Sequence, residues 1–172
     1  SNLQHALREQ EKFVQKALNR IDGKSDIDIG YFGLAHIPLV FLLGFQMADK
    51  FRPTFFEWNQ NDLIWEEIKK KNVDYPKLLL TKNEEKQQID KTTDIVIKIG
   101  ITYPINDKDL EGHNLEKLNS YYLHLEQPQR NAIVSLHQLN EYQEQFRKLL
   151  DNVNQRFPNL ERIHLFYSGQ TS

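Results

Sequence analysis

Segments with the pattern of a β-strand alternate along this chain with segments that have the period of a helix, and this alternation limits the possible folds most. Residues 94–100, which read DIVIKIG, form the clearest predicted strand. Chains in which strands and helices alternate in this way fold into a mainly parallel sheet with helices on its faces. We therefore expect an α/β fold built around such a sheet.

Four segments have the pattern of a helix. Apolar residues recur at three- and four-residue steps over residues 3–21 and again over residues 135–154, so both segments are predicted to be long amphipathic helices. Asp22-Gly23 is a typical end for the first of them. Pro38 favours the start of a strongly apolar helix that extends to about Ala48, and residues 107–118 are predicted to hold a short helix.

Short apolar or aromatic runs bounded by turn-forming residues predict the remaining strands. These strands are residues 26–32, 53–58, 121–125 and 161–167. Residues 64–90 carry short apolar pieces, such as Leu78-Leu79-Leu80, among charges of both signs. We therefore predict only a marginal strand or a loop in that segment.

Composition and motifs exclude several classes of function. The net charge of −2 argues against a broad surface that coats nucleic acid. The absence of cysteine excludes disulfides, thiol nucleophiles and cysteine-ligated zinc, and it fits a reducing cytoplasm. The six histidines show no metal-ligand spacing, and the chain has neither the glycine pattern of dinucleotide enzymes nor a phosphate loop. We expect no metal, no signal peptide and no membrane-spanning segment.

Three loops that follow predicted strands carry glycine or small residues, namely residues 30–38, 100–104 and 167–172. Ligands in open α/β sheets bind beyond the carboxyl ends of the strands, where backbone N–H groups at helix starts attract anions. We therefore expect the three loops to line one anion pocket. Other interpretations stay open, since Gly30 and Gly33 also permit tight packing and His36 also suits a structural hydrogen bond.

Two stretches resemble a known family. Residues 31–44, which read YFGLAHIPLVFLLG, together with FFEWN at residues 55–59 and with Trp65, are similar to the opening half of a SAVED domain. Residues 160–169, which read LERIHLFYSG, are similar to the strand and loop that begin the second half. The resemblance predicts a sensor domain at residues 25–172, incomplete at its C-terminal end, and the amphipathic pattern before it predicts an N-terminal helix or connector at residues 1–24.

The resemblance implies a sensor in bacterial anti-phage defence of the cyclic-oligonucleotide (CBASS) type. SAVED domains resemble two fused CARF-like, Rossmann-like halves, and this chain would hold the first half and the start of the second. Such a domain binds a cyclic di- or trinucleotide made by a CD-NTase-type synthase. It activates a fused or associated effector, which is a nuclease, a TIR domain, a protease or a membrane segment. A homo-oligomer on ligand binding, a cytoplasmic location, no other cofactor and no catalytic residue are also implied.

Loop position and the resemblance together predict a set of ligand-binding residues in which flat side chains stack on bases and small or polar residues approach phosphate. They are Tyr31, Phe32, Gly33, Leu34, Ala35, His36, Pro38, Trp58, Thr102, Tyr103, Ser168, Gly169, Gln170 and Thr171. Two alternatives remain. One is a CARF-like ring nuclease that cleaves the cyclic nucleotide through His36, Lys98 and Thr102. The other is a protein-interaction domain without a small ligand, held by the helix of residues 3–21.

Overall fold

The computed structural model describes residues 2–21, 27–33, 36–47, 53–59, 62–69, 73–84 and 86–169. These residues divide into two compact units, one within residues 2–68 and the other within residues 69–169. Each unit holds one β-sheet. No helix in the described ranges is long and apolar enough to cross a membrane. The division into a connector and a sensor domain near residue 24 stays a prediction.

The first unit combines two helices with a three-stranded sheet. Its elements are helix α1 (Asn2–Ile21), strand β1 (Gly30–Phe32), helix α2 (Ile37–Met47), strand β2 (Thr54–Asn59) and strand β3 (Ile64–Glu67). Strand β1 is parallel to β2, and β3 is antiparallel to β2. The Gln10 Nε2 donates to the main-chain oxygen of Leu39 at 2.9 Å and so links α1 with α2. Both predicted helices are thus confirmed.

The second unit is a four-stranded sheet with two α-helices and one short 3-10 helix, Ile89–Lys91. Its strands are β4 (Leu78–Asn83), β5 (Asp94–Gly100), β6 (Asn119–Leu125) and β7 (Arg162–Ser168), and its helices are α3 (Lys108–Glu111) and α4 (Leu136–Arg156). The strand order is β4-β6-β5-β7. Strand β5 is parallel to both of its neighbours, β6 and β7, whereas β4 is antiparallel to β6. The carboxyl ends of β5, β6 and β7 therefore meet at one edge, which we call the carboxyl edge.

One face of this four-stranded sheet packs against α4 and forms the core of the second unit. Alternate residues of a strand point to the same face, and Ile95 and Ile97 of β5 are both fully buried. They pack among Tyr121, Leu123, Leu125, Tyr142, Leu149, Val153 and Phe157. Burial of one large aliphatic side chain contributes roughly 1.5–3 kcal/mol, so this layer is the main source of stability in the unit.

The start of α4 is tied to the loop that precedes it. The Ser135 Oγ accepts a hydrogen bond from the Gln138 main-chain N at 3.2 Å, which is the usual N-cap bond. The buried Gln138 side chain donates to the Ala132 main-chain oxygen at 2.7 Å and accepts from the Val134 N–H at 2.9 Å. These bonds fix residues 132–135, which are the last residues of the loop between β6 and α4.

The α/β class is confirmed, but the structure corrects the expectation of a single mainly parallel sheet. The described residues form two sheets, and both are mixed. The antiparallel strands β3 and β4 both come from residues 64–90, for which the sequence predicted only a marginal strand or a loop. Only four residues lie between the end of β2 and the start of β3, and a connection that short permits only antiparallel pairing.

Candidate functional site

Loops that follow the parallel strands come together at the carboxyl edge of the second unit. The loop after β5, residues 101–107, lies between the end of β7 and the loop after β6. The Gln129 N–H donates to the main-chain oxygen of Ile101 at 3.0 Å and joins the loop after β6 to the loop after β5. This edge is the place where open α/β sheets bind ligands.

Ser168, at the end of β7, holds the first residues of the loop after β5. The N–H groups of Ile101 and Thr102 donate to its main-chain oxygen at 2.7 and 3.0 Å. The N–H of Tyr103 donates to its Oγ at 3.1 Å. The structure therefore brings together Ser168, Thr102 and Tyr103, which were predicted from the sequence to lie at one site. Their backbone amides are already bonded within the protein, so contacts to a ligand fall to the side chains.

Tyr103 is 51% exposed as a residue and presents an aromatic ring at this edge. The Arg130 Nε donates to its hydroxyl at 2.7 Å, and the guanidinium carbon lies 5.8 Å from the ring centroid. Arg130 is itself exposed and comes from the loop after β6. The carboxyl edge thus carries a flat ring and a permanent positive charge in contact with each other.

Thr102 is the buried polar residue of this loop. The residue is only 9% exposed, and its Oγ1 has no hydrogen-bond partner among the described residues. Buried polar groups are hydrogen-bonded in the great majority of cases. The Thr102 hydroxyl is thus a buried donor whose hydrogen bond is not satisfied within the described part of the chain.

Gly100, the last residue of β5, permits a close contact beneath the loop. A Cβ at this position would lie 2.5 Å from the Tyr122 hydroxyl and 3.1 Å from the main-chain oxygen of Tyr103. The same hydroxyl accepts a hydrogen bond from the Ile105 N–H at 2.9 Å. The absent side chain therefore lets the Tyr122 hydroxyl lie against the backbone and hold the middle of the loop.

Gly100→Ala is expected to lower the free energy of unfolding by roughly 1–3 kcal/mol, because the new methyl group overpacks this contact. Urea denaturation of both proteins measures the change. Gly112→Ala is the matched control, since a Cβ at that position has no heavy atom within 4 Å and the backbone φ is −67°. An equal loss of stability in the two variants would contradict the close packing at Gly100.

The loop after β1 lies in the first unit. Tyr31 folds over Gly33, so that any Cβ at Gly33 would meet the tyrosine ring, and burial raises the pKa of Tyr31. The His36 side chain is exposed, and its main-chain oxygen accepts from the Leu39 N–H at 2.9 Å, at the start of α2. Pro38 is exposed as the second residue of that helix. The predicted residues Leu34 and Ala35 lie outside the described residues.

Aromatic side chains cover one face of the sheet in the first unit. Phe32 stacks on Phe56 with ring centroids 4.2 Å apart. Trp58 meets Trp65 edge to face at 5.6 Å, and Trp65 meets Phe32 at 5.4 Å. Trp58 is half-buried in this aromatic layer, whereas the Phe32 ring is 52% exposed. Packing against neighbouring rings therefore accounts for the position of Trp58.

The loop after β7 repeats the local arrangement found after β1. Tyr167 lies over Gly169 as Tyr31 lies over Gly33, because in each case the tyrosine precedes the glycine by two residues. Burial also raises the pKa of Tyr167. Gln170 and Thr171 lie outside the described residues. A single pocket formed by all three predicted loops stays a prediction.

Sequence reasoning missed Arg130 and the role of Lys98 and Asp107. The signal for Arg130 was present, because residues 126–130 follow the predicted strand 121–125 and so qualify as a loop at the carboxyl ends of the sheet. Lys98 was named only as a residue of the enzyme alternative. Its Nζ lies 2.9 Å from the Asp107 Oδ1, and its side chain is 8% exposed.

A shallow cleft of about 410 Å³ lies elsewhere in the second unit, lined by His113, Leu115, His164, Leu165 and Phe166. The His164 Nε2 is 3.0 Å from the Asp94 Oδ1, and this contact is the main reason why the pKa of Asp94 is lowered. Among the described residues no cluster of three or more histidine or acidic side chains forms a metal site.

Comparison with known protein families gives one match. A family model described as "SMODS-associated and fused to various effectors sensor domain", abbreviated SAVED, matches residues 10–172. This range covers nearly the whole chain, including all of the second unit with the carboxyl edge and the first unit from residue 10 onward. No curated protein matches the chain. The resemblance seen at residues 31–44 and 160–169 is therefore confirmed.

Proposed function

Because this chain belongs to the SAVED family of sensor domains, we propose that it binds a cyclic di- or trinucleotide at the carboxyl edge and thereby switches an effector in anti-phage defence. The family gives the class of function, a sensor of cyclic oligonucleotides in defence effectors. The geometry of the second unit supports the choice of site. The base identity and ring size of the ligand depend on the shape of the whole site.

The observation that carries this proposal is the contact of Arg130 with the exposed Tyr103 in the same loop as the buried Thr102 hydroxyl, which has no hydrogen-bond partner among the described residues. An unpaired buried hydroxyl costs roughly 1–3 kcal/mol, and a phosphate oxygen that accepts its hydrogen bond removes that cost. Arg130 supplies positive charge for the phosphate, and Tyr103 supplies a flat face for a base. One nucleotide of the ligand thus meets three complementary groups.

The arrangement of the parallel strands supports the proposal that the second unit is a Rossmann-like, CARF-like half. Strands β6, β5 and β7 are parallel, and α4 forms the crossover from β6 to β7. In sheets of that kind the ligand lies outside the carboxyl ends of the strands. The antiparallel strand β4 lies at the far edge of the sheet, away from β5 and β7.

We further propose that ligand binding favours self-association of the sensor and that this assembly activates a fused or associated effector. A ligand shifts such an equilibrium only by binding the assembled state more tightly. A synthase of the nucleotidyltransferase class would supply the ligand. Sedimentation velocity tests the step, because a larger species should form with the cyclic ligand and not with its linear counterpart. Equal sedimentation with and without the ligand would count against it.

The melting temperature of the purified chain against a panel of cyclic di- and trinucleotides and their linear counterparts tests the proposed function. A ligand that binds only the folded state stabilises it by about 2.7 kcal/mol at a concentration of 100 times Kd. We expect a selective rise with one cyclic species. An equal rise with linear and cyclic forms, or no rise with any, would contradict a cyclic-oligonucleotide sensor. Steady loss of the cyclic species would instead support the ring-nuclease alternative.

Thr102→Val is expected to weaken binding of that cyclic nucleotide about tenfold, the lower end of the roughly 1.5–3 kcal/mol that a hydrogen bond to a charged group contributes. The melting temperature of the free protein should stay the same or rise, because the substitution removes an unpaired buried hydroxyl. Thr93→Val at the opposite end of β5 is the control and should bind normally. Normal binding by Thr102→Val would show that Thr102 does not contribute to ligand binding.

A further inference from the structure

Lys98 is a buried cation on the central strand β5. Its side chain is 8% exposed, and it lies two residues before Gly100 at the carboxyl edge. A buried charge is costly unless it is paired. The Nζ contacts the Asp107 Oδ1 at 2.9 Å and lies 4.7 Å from the centroid of the Tyr122 ring. Lys98 therefore bonds to the far end of the loop that follows its own strand.

The loop of residues 101–107 is attached to the sheet at three places. Ser168 holds its first residues through three backbone amides. The Tyr122 hydroxyl holds its middle at the Ile105 N–H. Lys98 holds its end at Asp107. Thr102 and Tyr103 belong to the first attachment through their N–H groups, and the second and third attachments hold the residues that follow them.

The charge state of Asp107 depends on its neighbours. The hydrogen bond from Lys98 lowers the pKa of Asp107, with a smaller contribution from the charge of Lys86. A carboxyl with a lowered pKa contributes its stabilisation above its ordinary pKa near 3.8 and loses it as the pH falls through the lower value. Asp107 is thus ionised at neutral pH, and removal of either partner breaks the contact with Lys98.

We propose that Lys98 is a positioning residue that, through Asp107 and Tyr122, fixes the loop of residues 101–107 and so holds Thr102 and Tyr103 in place for the ligand. The ligand part of this inference rests on the proposed function. The positioning part does not, because it concerns the free protein. Lys98 does not contact the ligand in this account.

Chemical rescue in the free protein tests the positioning. The chain has no cysteine, so Lys98→Cys introduces a single thiol that can be alkylated in urea before refolding. Alkylation with 2-bromoethylamine rebuilds a lysine-like side chain with its charge, whereas alkylation with 1-bromopropane gives a neutral chain of equal length. The readout is amide hydrogen exchange at Tyr103 and Ile105, which donate to Ser168 and Tyr122.

We expect exchange at these two amides to rise about tenfold or more in Lys98→Cys and in the propyl form, and to return to the original rate in the aminoethyl form. Amides of Ile95 and Ile97 should keep their protection in all folded forms. Equal protection of the loop in the propyl and aminoethyl forms would overturn the proposal, since packing alone would then explain Lys98.

Asp107→Ala provides a second variant in case the cysteine protein does not refold, because the Asp107 side chain is 64% exposed and its replacement leaves the core intact. It removes the acceptor of the Lys98 hydrogen bond and should raise exchange at Ile105, whereas Lys148→Met, which removes the exposed pair of Lys148 with Glu144 on α4, should not. Unchanged exchange in Asp107→Ala would also overturn the proposal.

Binding of cyclic triadenylate, used as the probe, completes the test. Affinity should fall about tenfold in the propyl form and recover in the aminoethyl form. If amide exchange in the loop changes between these forms but the affinity for cyclic triadenylate does not, only the ligand part of the proposal is contradicted. If the unmodified protein binds no cyclic nucleotide, the proposed function fails, and the exchange measurements still decide whether Lys98 positions the loop.

Discussion

Tyr103→Ala is expected to weaken binding of the cyclic oligonucleotide roughly 5- to 150-fold, because stacking of one base on an aromatic side chain contributes about 1–3 kcal/mol. The ring is half exposed in the free protein, so its loss should change stability little. Titration calorimetry of the variant and the original protein measures the effect. The same substitution also removes the hydroxyl that receives the Arg130 hydrogen bond.

Tyr103→Phe separates these two contributions. It keeps the ring and removes only the hydroxyl, so its affinity should fall by only roughly 2- to 12-fold, in line with about 0.5–1.5 kcal/mol for one hydrogen bond. If Tyr103→Ala and Tyr103→Phe bind the ligand equally weakly, the hydroxyl and its bond with Arg130, rather than stacking, account for recognition. Two variants of normal affinity would exclude Tyr103 from the site.

Ile97→Ala is expected to lower the free energy of unfolding by roughly 2–5 kcal/mol, which is a large share of the stability of a small domain. Ile97 is fully buried on the central strand and packs against the layer supplied by β6 and α4. Truncation leaves a cavity that these neighbours fill only in part. Urea denaturation followed by far-UV circular dichroism measures the change, because both tryptophans lie in the other unit.

Ile163→Ala is the control of the same residue type in the same sheet. Ile163 is 40% exposed on strand β7, so it loses less apolar contact on truncation, and the change should be well below that of Ile97→Ala. Similar losses in the two variants would contradict a core centred on β5.

The elements that could be predicted correctly are those with a strong hydrophobic pattern in the sequence. Strand β5 has the bounds expected from the sequence, because Ile95, Val96 and Ile97 are buried on both faces of a central strand. The helices α1 and α4 were predicted because long amphipathic segments keep their period over many residues. Strand β4 was predicted only as marginal. Leu79 and Leu80 are more than 40% exposed at the edge of the sheet, where polar neighbours mask the strand pattern.

The site was predictable in its position and not in its chemistry. The rule that ligands bind at the carboxyl ends of parallel strands led to Thr102, Tyr103 and Ser168, which the structure brings together. From that rule we expected free backbone amides that could bind the ligand. In the structure the backbone amides at the start of the loop donate to Ser168 instead. The contact of Arg130 with Tyr103 joins residues 27 positions apart on two loops. No local sequence pattern predicts a contact at that separation.

Amide hydrogen exchange across the whole chain, with and without the cyclic nucleotide that raises the melting temperature, locates the ligand site. We expect ligand protection to be concentrated in residues 100–104, 126–131 and 167–169, and Thr102→Val and Tyr103→Ala to diminish it. Protection confined to other residues, or equal protection by the linear nucleotide, would contradict a cyclic-oligonucleotide site at the carboxyl edge.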